Sequence, residues 1–232
     1  MLTGASGRIG RAVADRLSGR WQLAGSDLRP AEGVDVLDVA DLDACRAAFA
    51  GADAVVHLAA DPSPEAGFDE LLSPNVVGPY AVARAAAEAG VRRLVLASSL
   101  HATSALPLSV QRRTDDQPRP GNLYGATKAW AEALGAWTAA TTATSVVALR
   151  IGYYAEERPG PDADTPALTA WLSPRDAAEL VRAAVEADLG TGVDGFVVAH
   201  GVSANRYSVA ELEATRRAIG YAPVDDAWAE LP

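Results

Sequence analysis

The chain has 232 residues, 49% hydrophobic and 22% charged, enough for one large α/β domain with a continuous core. Its formal net charge of −10 opposes nonspecific binding to nucleic acid or anionic membrane, and no apolar run approaches a membrane span or a leader, so a small-molecule partner and a cytoplasmic location are expected. Cys45 is the only cysteine, which excludes an intrachain disulfide and a cysteine metal cluster; no metal is expected, and Cys45 reads as core packing.

Gly4-Ala5-Ser6-Gly7-Arg8-Ile9-Gly10 opens the chain with glycines three apart. That spacing allows a tight strand-to-helix turn and close backbone approach to a pyrophosphate. The helix predicted over residues 8–17 would aim its N–H groups and dipole at the anion. Only Met1-Leu2-Thr3 precede the loop, so a shortened first strand and weakened dinucleotide binding are expected.

Residues 21–26 predict a strand ending at Asp27, residues 34–37 a strand ending at Asp38, and residues 54–58 a buried strand, with a helix over 41–49 before it. Pro62, Pro64 and Gly67 mark a loop. A helix rich in alanine and valine follows over 76–89, stopped by Gly90, then a buried strand over 93–97 leading into Ser98 and Ser99. A proline-marked loop leads to a helix over 122–140 and a strand over 146–151. This alternation predicts an α/β fold with a doubly wound parallel sheet and right-handed crossovers.

Past residue 151 the texture changes. Residues 156–165 are too polar for core and predict a flexible loop or lid. A helix over 174–187 with Ser173 as its N-cap, a strand over 195–199 and a helix over 208–219 complete the chain. These elements are too few for a second domain. The chain reads as a single domain, with a dinucleotide-binding core in 1–151 and a segment, 152–232, that completes the sheet and forms a small substrate cap.

In such a sheet ligands bind at the carboxyl ends of the strands. Asp27, roughly twenty residues past the glycine loop, suits a carboxylate accepting from an adenosine ribose 2′-hydroxyl. It favours NAD over NADP, because a 2′-phosphate would be repelled; Arg29 nearby is the residue that would receive such a phosphate. Asp38 either bonds the adenine edge or caps the next helix. Leu58, Ala59 and Ala60 are small enough to let a dinucleotide lie against the backbone, and His57 reads as a packed strand histidine. Tyr124 and Lys128, four apart, share one helix face. An ammonium beside a phenol favours phenolate, giving a base near neutrality. Ser99, at the end of the preceding strand, is placed to hold a substrate hydroxyl whose proton Tyr124 takes.

The glycine loop, Asp27, His57-Leu58-Ala59-Ala60, Ser98-Ser99 and Tyr124-x-x-x-Lys128, in that order, resemble the extended short-chain dehydrogenase/reductase family, of Rossmann fold, over nearly the whole chain. Asn75 in Asn-Val-Val-Gly and Leu149-Arg150-Ile151-Gly152 add to the likeness, and the resemblance implies cofactor contacts for Asn75 and Ile151. Within the family the chain is similar to uronate dehydrogenases, through Ser98-Ser99-Leu100-His101, Pro118-Arg119-Pro120-x-x-Leu123-Tyr124-Gly125, Trp171-Leu172-Ser173 and Gly201-Val202-Ser203-Ala204-Asn205. That likeness implies oxidation of a cyclic sugar acid at its anomeric carbon to a lactone. Tyr124 would act as base, Ser99 would orient the hydroxyl, and Lys128 would lower the tyrosine pKa and bond the nicotinamide ribose. It also implies substrate contacts from Ser63, Leu100, His101 and Tyr153, and a homodimer through the helices beginning near Asn75 and Asn122.

The departures from the uronate pattern fall in the substrate half. Leu100 stands where the family has asparagine, Tyr153 where it has serine, and Pro166 where it has its carboxylate-binding arginine. Arg158 is the candidate replacement for that arginine. The expected activity is therefore hydride transfer from a sugar-like or other secondary alcohol. Two alternatives use the same motifs: a nucleotide-sugar epimerase or dehydratase that retains its cofactor, and a non-catalytic dinucleotide-binding relative, which the short first strand favours.

Overall fold

The computed structural model describes residues 1–229. In chain order its elements are β1 (Leu2–Thr3), α1 (Arg8–Leu17), β2 (Gly25–Asp27), β3 (Val34–Val36), α2 (Leu42–Ala48), β4 (Ala54–His57), α3 (Phe68–Leu71), α4 (Gly78–Glu88), β5 (Arg93–Ser99), α5 (Leu123–Thr141), β6 (Ser145–Ile151), β7 (Tyr153–Tyr154), α6 (Thr165–Ala170), β8 (Trp171–Leu172), α7 (Pro174–Glu186), β9 (Phe196–Gly201) and α8 (Glu213–Ile219). A seven-stranded sheet runs β3-β2-β1-β4-β5-β6-β9, every pair parallel. The expected doubly wound sheet is present, and the strand order reverses between β1 and β4.

The central strands β5 and β6 are buried on both faces, which is why they read as near-continuous apolar runs. One core lies between the sheet and α1 with α7, built on Leu2, Val13, Val95, Leu149, Leu180 and Val181. The other lies between the sheet and α2, α4 and α5, built on Phe49, Val55, Val82, Leu94, Leu134 and Val146. Cys45 is fully buried in that second core, and burial pushes its thiol up to about 11.

β1 is two residues long, yet it pairs on both sides, with Leu2 opposite Gly25 and Val56 and Thr3 opposite Ser26 and His57. The Met1 carbonyl accepts from Val56 N at 2.9 Å and its amine donates to Ala54 O at 2.9 Å.

Several boundaries differ from the predicted ones. The strand read over 21–26 contracts to β2, because Trp21 N bonds back to Leu17 O at 3.1 Å and closes the end of α1. The helix read from 76 begins earlier: α3 runs through a π-helical segment, Leu72–Val77, into α4. Pro79 has no N–H to reach back to residue 75, so the turn before it widens. The helix read over 208–219 is confined to α8, since residues 209–211 instead bond the Arg112 backbone on both sides. β9 belongs to the main sheet, whereas β7 and β8 form a separate two-stranded ribbon. Neither of those two, nor α6, was expected. Among the described residues no helix is long and apolar enough to cross a membrane.

Candidate active site

A cavity of about 1680 Å³ lies over the carboxyl ends of the strands, at the point where the strand order reverses. Gly4, Ser6, Gly7, Arg8, Ile9 and Gly10 line one part of it. Gly4 has φ +74°, and a Cβ there would stand 2.6 Å from Ala59 N; at Gly10 it would overlap the Gly4 carbonyl and Ala5 backbone. The loop therefore packs flat against the end of β4 and the start of α1, whose N-cap, Gly7, uses no side-chain bond. The hydroxyl of Ser6 is buried without a partner. A cradle of small residues with an unspent buried donor at a ten-residue helix's N-terminus fits a dinucleotide pyrophosphate.

Asp27 follows on the same lining, its Oδ2 accepting from Ser6 N at 3.1 Å and its Oδ1 from Arg29 N at 3.4 Å. Asp38 also lines the cavity, with Oδ1 holding Ala40 N at 2.9 Å; the helix cap is Asp41, which accepts from Asp43 N and Ala44 N. Leu58, Ala59 and Ala60 form the floor. His57 is turned into the protein, bonded through Nδ1 to Thr3 Oγ1 at 2.8 Å, and burial holds its imidazole down at about 3.

Asn75 takes a different place from the cofactor contact expected of it. It is buried behind the lining, its carboxamide spanning Asp61 N at 2.8 Å, Asp61 O at 2.9 Å and Thr127 Oγ1 at 3.3 Å. Those bonds spend its donors and acceptor on holding the loop after β4 to α5. Ser63 is likewise outside the lining, because its N–H bonds Asp61 Oδ1 at 2.9 Å and its hydroxyl faces Glu65.

Ser99, Tyr124, Lys128 and Ile151 all line this cavity. Ser99 ends β5, paired with Ile151 in β6, and Tyr124 and Lys128 lie on the first turns of α5. Asn122 caps that helix through Gly125 N at 2.7 Å and bonds His101 Nδ1 at 2.9 Å, and His101 packs edge-on to Tyr124, ring centres 5.5 Å apart. Lys128 Nζ donates to Ala97 O at 3.0 Å and lies 5.4 Å from the Tyr124 ring centre. Burial brings Lys128 down to about 8. It also raises the Tyr124 phenol above its ordinary value, the hydrogen bond with Ser99 pulling the other way and Asp61 adding to the rise. This departs from the simple expectation that the lysine depresses the phenol, because desolvation of the phenol outweighs the help it receives.

Leu100, His101, Ser104, Leu108, Tyr153, Pro166 and Thr169 line another part of the same cavity. Arg158 is not part of it; its guanidinium donates to the Ala229 carbonyl. Among the lining residues that were not anticipated are Asp61, Arg112 and Asp164. Asp61 was within reach of the strand-end rule, since it follows His57-Leu58-Ala59-Ala60 directly. The other two sit on irregular loops and carry no spacing signal. The Trp171-Leu172-Ser173 and Gly201 to Asn205 stretches bind each other, through Ser203 N to Trp171 O at 2.8 Å, Ser173 N to Ser203 Oγ at 3.0 Å and Asn205 Nδ2 to Trp171 O at 2.9 Å.

A family model described as the NAD dependent epimerase/dehydratase family matches residues 1–188. The chain is similar to an L-arabinose 1-dehydrogenase (NAD(P)(+)) of Haloferax volcanii, 36% identical across 97% of this chain and 96% of that protein. An NAD-dependent glucose-6-phosphate dehydrogenase of the same organism is 34% identical across 97% and 93%. Among solved structures, a uronate dehydrogenase from Agrobacterium tumefaciens superposes with a TM-score of 0.87 at 30% identity, covering 98% of this chain and 85% of that one.

Proposed function

The chain belongs to the NAD-dependent epimerase/dehydratase family, and from that premise we propose that it is an NAD-dependent dehydrogenase of a cyclic sugar, working through Ser99, Tyr124 and Lys128. The observation that carries the reading is the convergence of these three side chains in the same cavity that the glycine loop and Asp27 line. The three relatives described above, each named as a sugar dehydrogenase, support it over an epimerase or a non-catalytic relative.

When bound, the dinucleotide supplies the acceptor for a hydride leaving the anomeric carbon. Ser99 holds the anomeric hydroxyl by a hydrogen bond, and Tyr124 takes its proton, so a lactol gives a lactone. Lys128, its ammonium fixed by Ala97 O, stabilises the tyrosine's anionic form as it develops. Apolar Leu100 and Ile151 line the same cavity. Gly4, Ser6, Gly7 and Gly10 hold the pyrophosphate, with Arg8 and Ile9 beside them. Asp27 accepts from the adenosine ribose, which selects NAD over NADP, and Asp38 stands at the adenine.

We also propose a homodimer. Leu123, Trp130 and Trp137, seven apart on α5, form an exposed stripe beside exposed Leu72, Val77 and Tyr80, and Trp130 Nε1 ties the two helices by donating to Val76 O at 3.1 Å.

The test of the activity is NADH formation from NAD with a panel of aldoses, uronates and sugar phosphates. Turnover of at least one sugar is expected. Isomerisation of a nucleotide sugar without net NADH would replace this reading with the epimerase one. Failure of NAD and NADP to raise the melting temperature would favour a non-catalytic relative.

A further inference from the structure

Resting on the dehydrogenase reading above, we propose that the substrate end of the cavity takes an uncharged aldose, and that Asp61 sets this preference against uronates and sugar phosphates.

The first argument is the state of the cations. Arg11 and Arg29 line the cavity with the glycine loop and Asp27, at its dinucleotide end. Arg8 is folded onto Tyr154, donating to its carbonyl at 3.2 Å with the guanidinium 5.3 Å from the ring centre. Arg112 reaches the substrate end, but its guanidinium is caged by main-chain carbonyls: Nη1 donates to Pro107 O at 2.9 Å and Val110 O at 2.8 Å, and Nη2 to Leu106 O at 3.0 Å. An anion would have to displace those bonds to gain a guanidinium fork. Lys128 is held on Ala97 O beside Tyr124. His101 Nδ1 is hydrogen-bonded to Asn122 Nδ2 at 2.9 Å, and burial lowers its imidazole pKa from the ordinary value.

The second argument is the carboxylates that share the space. Asp164 lines it while capping α6 through Ala167 N at 2.8 Å. Asp61 lies deeper. Asn75 grips its backbone on both sides, and Ser63 N takes its Oδ1 at 2.9 Å. Asn75 also donates to Thr127 Oγ1 at 3.3 Å, and that hydroxyl bonds Tyr124 O at 2.7 Å, which ties the Asp61 backbone to the turn of α5 that carries Tyr124. A carboxylate accepts hydrogen bonds and donates none. It therefore welcomes sugar hydroxyls, which donate, and repels a carboxylate or phosphate brought to the same place. Ser104 and Thr169 line the same cavity with uncharged hydroxyls, matching a hydroxyl-rich ligand.

The test compares kcat/KM for L-arabinose, D-galactose and D-glucose with that for D-galacturonate and glucose 6-phosphate, using NAD, in the wild type and in Asp61→Asn. Asparagine keeps the oxygen that Ser63 N needs, removes the charge and puts an amide donor in place of the second oxygen. The wild type is expected to prefer at least one neutral aldose by about tenfold or more, and Asp61→Asn to narrow that preference by about tenfold, mainly through KM. Equal or better turnover of an anionic sugar by the wild type would overturn the proposal. So would an unchanged preference in Asp61→Asn. Absence of NADH from every sugar would overturn the dehydrogenase reading itself, and this one with it.

Discussion

The guanidinium of Arg150 grips the carboxylate of Glu132 with two parallel bonds, Nε to Oε1 and Nη2 to Oε2, both at 2.9 Å, with the two side chains 2% and 6% exposed. Ser98 Oγ donates to the same Oε1 at 2.6 Å, and Arg150 also reaches the carbonyls of Asp116 at 2.9 Å and Arg113 at 3.3 Å. The pair therefore clamps β5, β6 and α5 together where they enter the cavity. Its immediate neighbours in the chain are Ser99 and Ile151, and Lys128 is one turn before Glu132.

Breaking this pair leaves a buried charge uncompensated. Glu132→Gln is expected to cost about 3–5 kcal/mol, read as a lowered urea midpoint. The double variant Glu132→Leu with Arg150→Met should recover most of it, because neither charge then remains. A loss below about 1 kcal/mol in the single variant would show that the clamp carries no stability.

Tyr124→Phe removes the proton acceptor and keeps the ring that packs against His101. Sugar oxidation should fall by about 10²- to 10⁴-fold in kcat, while the NAD-dependent rise in melting temperature stays. Steady-state rates alongside thermal shifts separate the two effects. Retained turnover would exclude Tyr124 as the base.

Asp27→Asn should weaken NAD more than NADP. Loss of a charged acceptor to a ribose hydroxyl costs about 1.5–3 kcal/mol, or roughly tenfold and more in Kd. The 2′-phosphate of NADP, freed from repulsion and near Arg29, should bind no worse or better. Titration calorimetry with both dinucleotides checks the ratio.

The burial of neutral His57 has a pH signature. Its folded pKa of about 3 lies below the unfolded value of 6.5, so between these values the unfolded chain holds the extra proton. Stability is then fully present above pH 6.5 and lost as pH falls toward 3, by up to about 1.4 kcal/mol per unit from this group. His57→Gln should flatten the difference in a plot of stability against pH, whatever its effect on stability at pH 7. Parallel slopes for the two proteins would contradict a neutral buried imidazole.

Replacing Trp130 and Trp137 by Glu places two charges on the exposed stripe of α5. If that stripe is the dimer face, sedimentation at micromolar concentration should shift from the dimer to the monomer mass, with NAD binding unaltered. A wild type that sediments as a monomer would dismiss the dimer outright.

What was legible in the sequence is local in origin. The alternation of short apolar runs with helical segments fixes a doubly wound parallel sheet, because buried parallel strands have no other composition open to them. α1 was readable to the residue from its glycine loop, and Ser173 from its place before α7. Tyr124 and Lys128 follow from the helical period alone. The tertiary structure decided what spacing cannot carry: that Asn75 is spent on Asp61 and Thr127, that Ser63 and Arg158 stand outside the cavity, and that Arg112 enters it with its donors occupied. It also decided that Asp61 lines the same cavity as Ser99 and Tyr124 and that the phenol of Tyr124 is held above its ordinary pKa. A spacing rule reads neighbours along the chain. The direction of a loop side chain, and the water it loses, are set by partners that only folding brings near.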